Sequence, residues 1–244
     1  MRALMLLGDR KLELADIPPP PPPAEGEVQI AVKAVALNHI DVWGFRGMAF
    51  AKRKMPLVVG AEASGEIAEV GPGVTNFKKG DPVVMYGALT CGTCPACREG
   101  RDNLCENVAG IMGFHVDGFA RDRLNLSARL VIPVPKGVSL RDASCAPIGF
   151  STVQHMLFDN AKLKPGETVL VQAGGSGIGT VAMLAANTWE KKAAVLTAPA
   201  STAKMALLFG RVIGATKVAR DITEAHRRQQ QQTTLIQDQQ RLAA

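Results

Sequence analysis

The sequence predicts a chain of mixed class, α/β plus β, in which a small β-barrel over most of residues 1–140 precedes an incomplete doubly wound domain over residues 141–220. Short segments of strand character, separated by glycine and proline, predict the barrel. A strand, a glycine-rich turn and an apolar segment of helical period between Lys164 and Asn187 predict the second domain. Residues 221–244 are polar and glutamine-rich, and we expect a helical or disordered tail there.

The composition is that of a globular protein, with 47% hydrophobic and 20% charged residues among 244. The net charge of +6 is spread along the chain and forms no basic block with interleaved aromatic residues, so we expect no nucleic-acid binding. The apolar run Ala3 to Leu7 is shorter than a signal-peptide core, and no later run is long enough to span a bilayer. We therefore expect no membrane partner and a cytoplasmic location.

The strands of the barrel are predicted in order from the N-terminus. The first two form a hairpin around Gly8-Asp9, and the prolines of Pro18–Pro23 then favour an extended polyproline II connector. A ligand for an SH3-type domain is the alternative interpretation of that run. The predicted strands are Met1–Leu7, Lys11–Ala15, Glu27–Leu37, Ser64–Val70 and Asp81–Met85.

Four cysteines lie close together in the pattern C-x2-C-x2-C-x7-C. Four thiolates at this spacing can surround one tetrahedral zinc, and a closed set of four sulfur ligands indicates a structural metal. Two disulfides or a ferredoxin-type cluster are the alternatives. The ligands are Cys91, Cys94, Cys97 and Cys105, whereas the fifth cysteine, Cys145, is expected to be a buried core thiol.

The glycine-rich turn follows a predicted strand at Thr168–Ala173. Its glycines permit a tight turn and let backbone amides approach a pyrophosphate at the start of a helix. A serine stands where the second glycine of G-x-G-x-x-G would be, so a turn that binds nothing is the alternative. The predicted cofactor-binding residues are Gly174, Gly175, Ser176, Gly177, Ile178 and Gly179.

The second strand of this domain, predicted at Ala193–Thr197, bears on the choice of cofactor. An NAD site would place a carboxylate near its end to bind the ribose hydroxyl. This chain instead has Ser201, Thr202 and Lys204, which can hydrogen-bond a 2′-phosphate. The sequence therefore favours NADP, with NAD as the alternative cofactor and a helix cap as the alternative role of these residues.

Five segments together carry a resemblance that covers residues 1 to about 187 closely and to about 220 loosely. They are the four-cysteine loop, the glycine-rich turn, VALNHIDVWGFRG (Val35–Gly47), PLVVGAEASGEIAEVGPGV (Pro56–Val74) and GFARDRLN (Gly118–Asn125). The chain resembles the medium-chain dehydrogenase/reductase superfamily, which contains zinc alcohol dehydrogenases and quinone oxidoreductases. The resemblance implies a GroES-like barrel with a zinc lobe, a Rossmann domain that binds NAD or NADP, and a substrate in the cleft between them.

The resemblance fails at the catalytic metal. The positions that match the three zinc ligands of the family hold Asn38, Ala61 and Ile148, and neither an alanine nor an isoleucine side chain has a lone pair to offer. We therefore expect no catalytic zinc. A zinc-type alcohol dehydrogenase with a rearranged site is the alternative, and it would need Glu62 or Asp41 to turn inward beside His39 and Cys145.

With Asn38 at this position, the chain resembles the zinc-free quinone oxidoreductases and related reductases. This resemblance implies hydride transfer from NAD(P)H to a quinone or an α,β-unsaturated carbonyl compound. On this interpretation Asn38 holds a carboxamide or a substrate oxygen, and His39 donates a proton. Asp41 resembles the carboxylate that orients a zinc-bound histidine in the family, and here it is free to pair with Arg46 or His39. The alternative roles are a turn residue for Asn38, a surface side chain for His39 and a helix cap for Asp41. His155 lies within Ser151–Asp159, a segment that resembles the interdomain helix of the family, and is expected to be a packing residue.

The second half of the Rossmann domain has no counterpart after a third strand predicted at Thr216–Ala219. We expect the strand order 3-2-1, with an exposed edge at the first strand. The substrate is expected to be a small carbonyl or quinone molecule. A homodimer is a further expectation, and the missing half of the Rossmann domain argues against it. A truncated, non-catalytic protein that keeps only its structural zinc is the alternative function.

Overall fold

The computed structural model describes residues 1–47, 53, 55–188 and 194–198. The chain divides into two compact units, Met1–Ser151 and Thr152–Ala244. The assignment of residues 141–220 to a dinucleotide-binding domain and of residues 221–244 to a tail remains a prediction. No helix among the described residues is both long and apolar enough to cross a membrane.

The first unit is built on two sheets. A three-stranded sheet has the order β2-β1-β4, and a five-stranded antiparallel sheet has the order β7-β3-β5-β6-β8. The predicted N-terminal hairpin is confirmed, because β1 and β2 pair antiparallel around a turn at residues 9–10. The strands are β1 (Arg2–Gly8), β2 (Lys11–Asp16), β3 (Glu27–Ala36), β4 (Leu57–Val58), β5 (Glu62–Val70), β6 (Pro82–Met85), β7 (Arg123–Ser127) and β8 (Val131–Pro133).

The pairing of β3 with β5 is the centre of this unit. Alternating residues of both strands point into the core, where Val28, Ile30 and Ala63 are fully buried. Gly65 lies close to the backbone of the neighbouring strand, and a Cβ there would lie 2.4 Å from the Ala31 carbonyl oxygen. A glycine is therefore required for these strands to approach each other.

The proline-rich connector runs between β2 and β3. Pro18, Pro19, Pro21 and Pro22 are exposed. The carbonyl oxygen of Pro21 accepts hydrogen bonds from Gln29 and Asn125 side chains, at 3.3 and 2.9 Å. These bonds fix the connector to two strands of the larger sheet.

The helices of the first unit are short and lie in the connections between strands. Single turns of 3-10 helix occur at Asp102–Leu104 and Ala128–Leu130. The last helix of the set ends within the second unit, which also contains the π-helical turn that follows it, His155–Asn160. The α-helices are α1 (His39–Phe45), α2 (Pro95–Arg98), α3 (Leu140–Ala143) and α4 (Pro147–Gln154).

The second unit contains the predicted strand, turn and helix. Strand β9 (Thr168–Gln172) leads into helix α5 (Gly177–Thr188), and β10 (Ala194–Ala198) returns parallel to β9. A cluster that includes Val171, Ala182 and Ala186 buries the helix against the strand. Among the described residues no strand pairs with the other edge of β9, and the predicted third strand lies outside them.

Two predictions about single residues are wrong. Cys145 is exposed rather than buried, because Ala143 and Ser144 occupy the inward positions at the end of α3. His155 is also exposed, and its ring lies 3.1 Å from the Asp159 carboxylate instead of packing in a core. Neighbouring apolar residues in the sequence indicated burial for both, but the turn of the backbone directs each side chain outward.

Candidate functional site

Asn38 lies where strand β3 gives way to helix α1. It has an extended backbone, with φ −120° and ψ 167°, and it precedes the first helical residue, His39. Its backbone N–H donates a hydrogen bond to Asp41 Oδ2 at 2.8 Å. Asp41 therefore acts as a cap for the start of α1, which is the structural role considered for it from the sequence.

Glu62 connects Asn38 to a distant part of the first unit. It begins strand β5 and is only 3% exposed. Its Oε1 accepts from Asn38 Nδ2 at 2.8 Å, and its Oε2 accepts from the Ile148 amide at 2.7 Å. The second bond places a carboxylate at the start of α4, where an unpaired amide and the helix dipole both favour negative charge.

The structure thus brings together the three positions that match zinc ligands in the resembled family. Asn38 and Ile148 bind the same carboxylate, and Ala61 is the residue next to Glu62 in the chain. Ala61 is buried and has no donor atom. The Asn38 nitrogen is committed as a donor, so this set of residues does not fit a tetrahedral zinc with an open position.

Glu62 is the residue whose role the sequence analysis missed. It was considered only as a replacement metal ligand. The signal for this role is the place of Glu62 directly after Gly60-Ala61, within the matched segment Pro56–Val74.

Burial governs the electrostatics of the two carboxyl groups. Burial raises the pKa of Asp41, against the opposing effect of the Asn38, Gly60 and Ala61 amides, and Asp41 Oδ1 is buried without a hydrogen bond. Burial also raises the pKa of Glu62; its bonds to Asn38 and Ile148 oppose this, and the neighbouring Asp41 charge adds to it. Both groups therefore hold a proton more readily than they would in water.

The raised pKa of Glu62 predicts a pH-dependent stability. The folded state binds this proton more tightly than the unfolded state, so its contribution is fully present below 4.5, the ordinary value, and is lost as the pH rises through the folded pKa. We expect the unfolding free energy of the wild type, relative to Glu62→Gln, to fall over this window. Urea unfolding of both proteins from about pH 4 to pH 8 measures it, and a constant difference contradicts the prediction.

His39 is not joined to this group. Its side chain is exposed, and its ring centroid lies 6.1 Å from that of Trp43. Among the described contacts it forms no hydrogen bond with Asp41 or Glu62. The structure therefore places Asn38 and Asp41 together with Glu62 and leaves the predicted role of His39 untested.

The four predicted metal ligands converge in a second place. Their sulfur atoms all lie within 4.8 Å of one another, and no other group of three such ligands occurs among the described residues. Cys91 Sγ lies 4.0 Å from that of Cys97 and 3.6 Å from that of Cys105. Sulfur ligands of one tetrahedral zinc would lie about 3.8 Å apart, so the cluster fits a single ion.

Backbone amides of the loop stabilise a negatively charged thiolate within this cluster. Amides of Thr93 and Cys94 point at Cys91 Sγ, from 3.5 and 3.3 Å, and lower the pKa of Cys91 to about 5. Burial raises the pKa of Cys97 to about 12. One thiolate is therefore favoured without metal, and a bound cation would offset the charge of the remaining three.

The glycine-rich turn has the features of a pyrophosphate corner. A Cβ at Gly175 or Gly177 would meet no atom within 4 Å, whereas one at Gly179 would lie 2.3 Å from the Ala173 carbonyl oxygen. The first two glycines thus leave the backbone open, and the third permits close packing of helix and strand. Ser176 caps α5, since its Oγ accepts from the Gly179 amide at 3.0 Å. Ser201 and Lys204 lie outside the described residues.

Comparisons with known proteins agree with these observations. Residues 24–136 match the alcohol dehydrogenase GroES-like domain. The chain is 34% identical over 187 residues to an acryloyl-coenzyme A reductase of Metallosphaera sedula, which covers 75% of this chain and 54% of the relative. It is 37% identical over 162 residues to an alcohol dehydrogenase of Geobacillus stearothermophilus, covering 65% and 46%.

Solved structures show the same relationship. An NAD-dependent alcohol dehydrogenase superposes with a TM-score of 0.74 and 40% identity, over 81% of this chain and 57% of that chain. A cobalt- and zinc-bound thermostable alcohol dehydrogenase from Pyrobaculum aerophilum gives 0.69 and 31%, over 81% and 65%. The chain spans about half the length of the curated relatives it matches.

Proposed function

Because the chain belongs to the medium-chain dehydrogenase/reductase superfamily through its alcohol dehydrogenase GroES-like domain, we propose that it is a reductase of activated alkenes. The reaction is hydride transfer from NADPH to the β-carbon of an α,β-unsaturated carbonyl compound, without a catalytic zinc. The cysteine cluster holds a structural zinc. The predicted family and fold class, GroES-like followed by an incomplete Rossmann domain, are confirmed.

The observation that carries the proposal is the network around Glu62. Where the resembled zinc enzymes place three ligands, this chain has an amide, a carboxylate and a backbone N–H that satisfy one another at 2.7–2.8 Å. A Lewis acid is then not the group that polarises the substrate oxygen. That task falls to a hydrogen-bond donor.

Asn38 is the donor that fits this task. Its side-chain nitrogen carries two hydrogens, and Glu62 Oε1 takes one of them. The Glu62 carboxylate also fixes the amide, because only the nitrogen end can face it. The second N–H can therefore bind the carbonyl oxygen of a substrate, on which negative charge develops during the reaction.

The reduction adds one hydride and one proton across the double bond of the substrate. When bound, the reduced nicotinamide supplies the hydride to the β-carbon. The electron pair of the alkene moves toward the carbonyl oxygen, which Asn38 stabilises, and the α-carbon then takes a proton. We assign this proton to His39, whose exposed ring follows Asn38 in the chain.

Two observations support the cofactor and the substrate class. The open backbone at Gly175 and Gly177 suits a pyrophosphate, and the residues after the second strand include Ser201 and Lys204 without a carboxylate, which favours NADPH. A relative at 34% identity is named for acryloyl-coenzyme A, an α,β-unsaturated thioester. We therefore place unsaturated ketones and thioesters ahead of quinones.

The test is NADPH oxidation with an enone, an acryloyl thioester and a benzoquinone as acceptors. We expect the first two to be reduced, and Asn38→Ala to lower kcat/KM about 100-fold, as for loss of one oxyanion donor. Asn76→Ala, an exposed position near the opposite end of β5, is the matched control and should change nothing. The proposal would be contradicted if none of the three acceptors caused NADPH to be oxidised. It would also be contradicted if the chain bound two metal ions and oxidised alcohols.

A further inference from the structure

The cysteine lobe, residues 91–105, has few apolar contacts to hold it in place. Cys94 and Ala96 are buried, but Leu104 is 55% exposed. The two segments that connect the lobe to the rest of the first unit are joined by a backbone hydrogen bond, in which the Leu89 N–H donates to the Gly110 carbonyl oxygen at 2.9 Å. Hydrophobic burial therefore contributes little to its placement.

Arg129 spans from the sheet to both ends of this lobe. It lies in the 3-10 turn between β7 and β8. Its Nη1 donates to Thr90 Oγ1 and to Asp102 Oδ2, each at 3.2 Å, and its Nη2 donates to Thr90 Oγ1 at 3.2 Å and to the Thr90 carbonyl oxygen. Thr90 Oγ1 in turn donates to Asp102 Oδ2 at 2.8 Å.

These acceptors adjoin the outer metal ligands. Thr90 directly precedes Cys91, and the Asp102 carbonyl oxygen accepts from the Cys105 amide at 3.1 Å. The guanidinium also lies against Gly92, where a Cβ would be 2.7 Å from Arg129 Nε and where φ is +72°. A glycine at this position lets the arginine reach past the loop.

We propose that Arg129 is a positioning residue for the metal, which holds the first and last cysteine of the lobe at their binding separation. The inference rests on the zinc of the proposed function, because it concerns how that ion is retained. A single exposed ion pair stabilises little. The planar guanidinium of Arg129, however, binds three acceptor atoms on Thr90 and Asp102, and so it fixes the two segments that carry them. A lysine at this position supplies one point charge and cannot bridge them.

The experiment measures the rate at which the full chain releases zinc to a colorimetric chelator. Arg129→Ala and Arg129→Lys should each release zinc about 10-fold faster than the wild type, a change of roughly 1.4 kcal/mol. Arg123→Ala is the matched control, since Arg123 is an exposed arginine on the neighbouring strand β7, and its rate should stay within twofold. Cobalt-substituted variants should keep the wild-type absorption spectrum, because the four ligands are unchanged.

Each outcome decides the inference. Equal release rates for the wild type and both Arg129 variants overturn it, as does an altered cobalt spectrum, which would indicate a change of ligands. If the Arg129 variants fail to fold, Asp102→Asn removes one charged acceptor and should release zinc about threefold faster. A wild-type chain that binds no zinc overturns the metal assignment itself, which distinguishes that failure from a failure of Arg129.

Discussion

Replacing Cys94 by serine is expected to abolish metal binding by the cysteine lobe. Cys94 is the most buried of the four thiols, at 7% exposed, and it stands at the start of α2. A serine hydroxyl is a poor ligand for zinc, and the three remaining thiolates would repel one another without a closed coordination shell. We expect the metal content to fall from one ion per chain to near zero.

The loss should also open the lobe. The backbone bonds within the lobe span only a few residues. A bound ion would therefore add to the few hydrogen bonds that join its two ends, such as those of Thr90 and Arg129 to Asp102. Trypsin should then cut faster after Arg98 and Arg101, two exposed sites within the lobe. Elemental analysis of the purified protein and timed proteolysis measure the two effects.

Cys145→Ser is the matched control for this experiment. Cys145 is exposed and lies outside the cluster, so the variant should retain its metal and its proteolysis pattern. A Cys94→Ser protein that keeps one ion per chain would contradict the assignment of the ligands. A wild type with two ions per chain would contradict the proposal that the Glu62 site holds no zinc.

Glu62→Ala is expected to have the second-largest effect, a loss of about 3 kcal/mol in the free energy of unfolding. The substitution leaves Asn38 Nδ2 and the Ile148 amide without their acceptor. It also removes the carboxylate from the start of α4. Urea unfolding at neutral pH, followed by intrinsic fluorescence, measures the loss.

Two further variants make this result specific. Glu62→Gln keeps an oxygen that can accept from Asn38, so it should lose only about 1 kcal/mol. Glu66→Ala, on the same strand, removes a half-exposed ion pair with Lys33 and should lose less than about 0.5 kcal/mol. If Glu62→Ala and Glu66→Ala cost the same, the buried network is not what holds these elements together.

The features that the sequence predicted correctly are local ones. The cysteine ligands fall within 15 residues of one another, and the glycine turn joins a strand directly to the helix that follows it. At such short separations the backbone alone limits where side chains can lie, so spacing is enough to indicate a shared centre. The N-terminal hairpin was predicted for the same reason.

The predictions that were wrong or incomplete depend on environment. Cys145 and His155 stand in apolar stretches of sequence, yet both are exposed, because the direction of a side chain at the end of a helix depends on what the helix packs against. The absence of ligands at Ala61 and Ile148 could be seen in the sequence, but what replaces them could not.

By itself the sequence determined the class of fold, the set of four neighbouring thiols and the position of the glycine-rich turn between a strand and a helix. Only the tertiary structure decided that Glu62 binds Asn38, 24 residues away, and Ile148, 86 residues away. It also decided that Arg129 reaches Thr90, 39 residues away. Contacts over such separations arise when sheets and helices pack, and a burial pattern along the chain carries no information about which polar groups then meet.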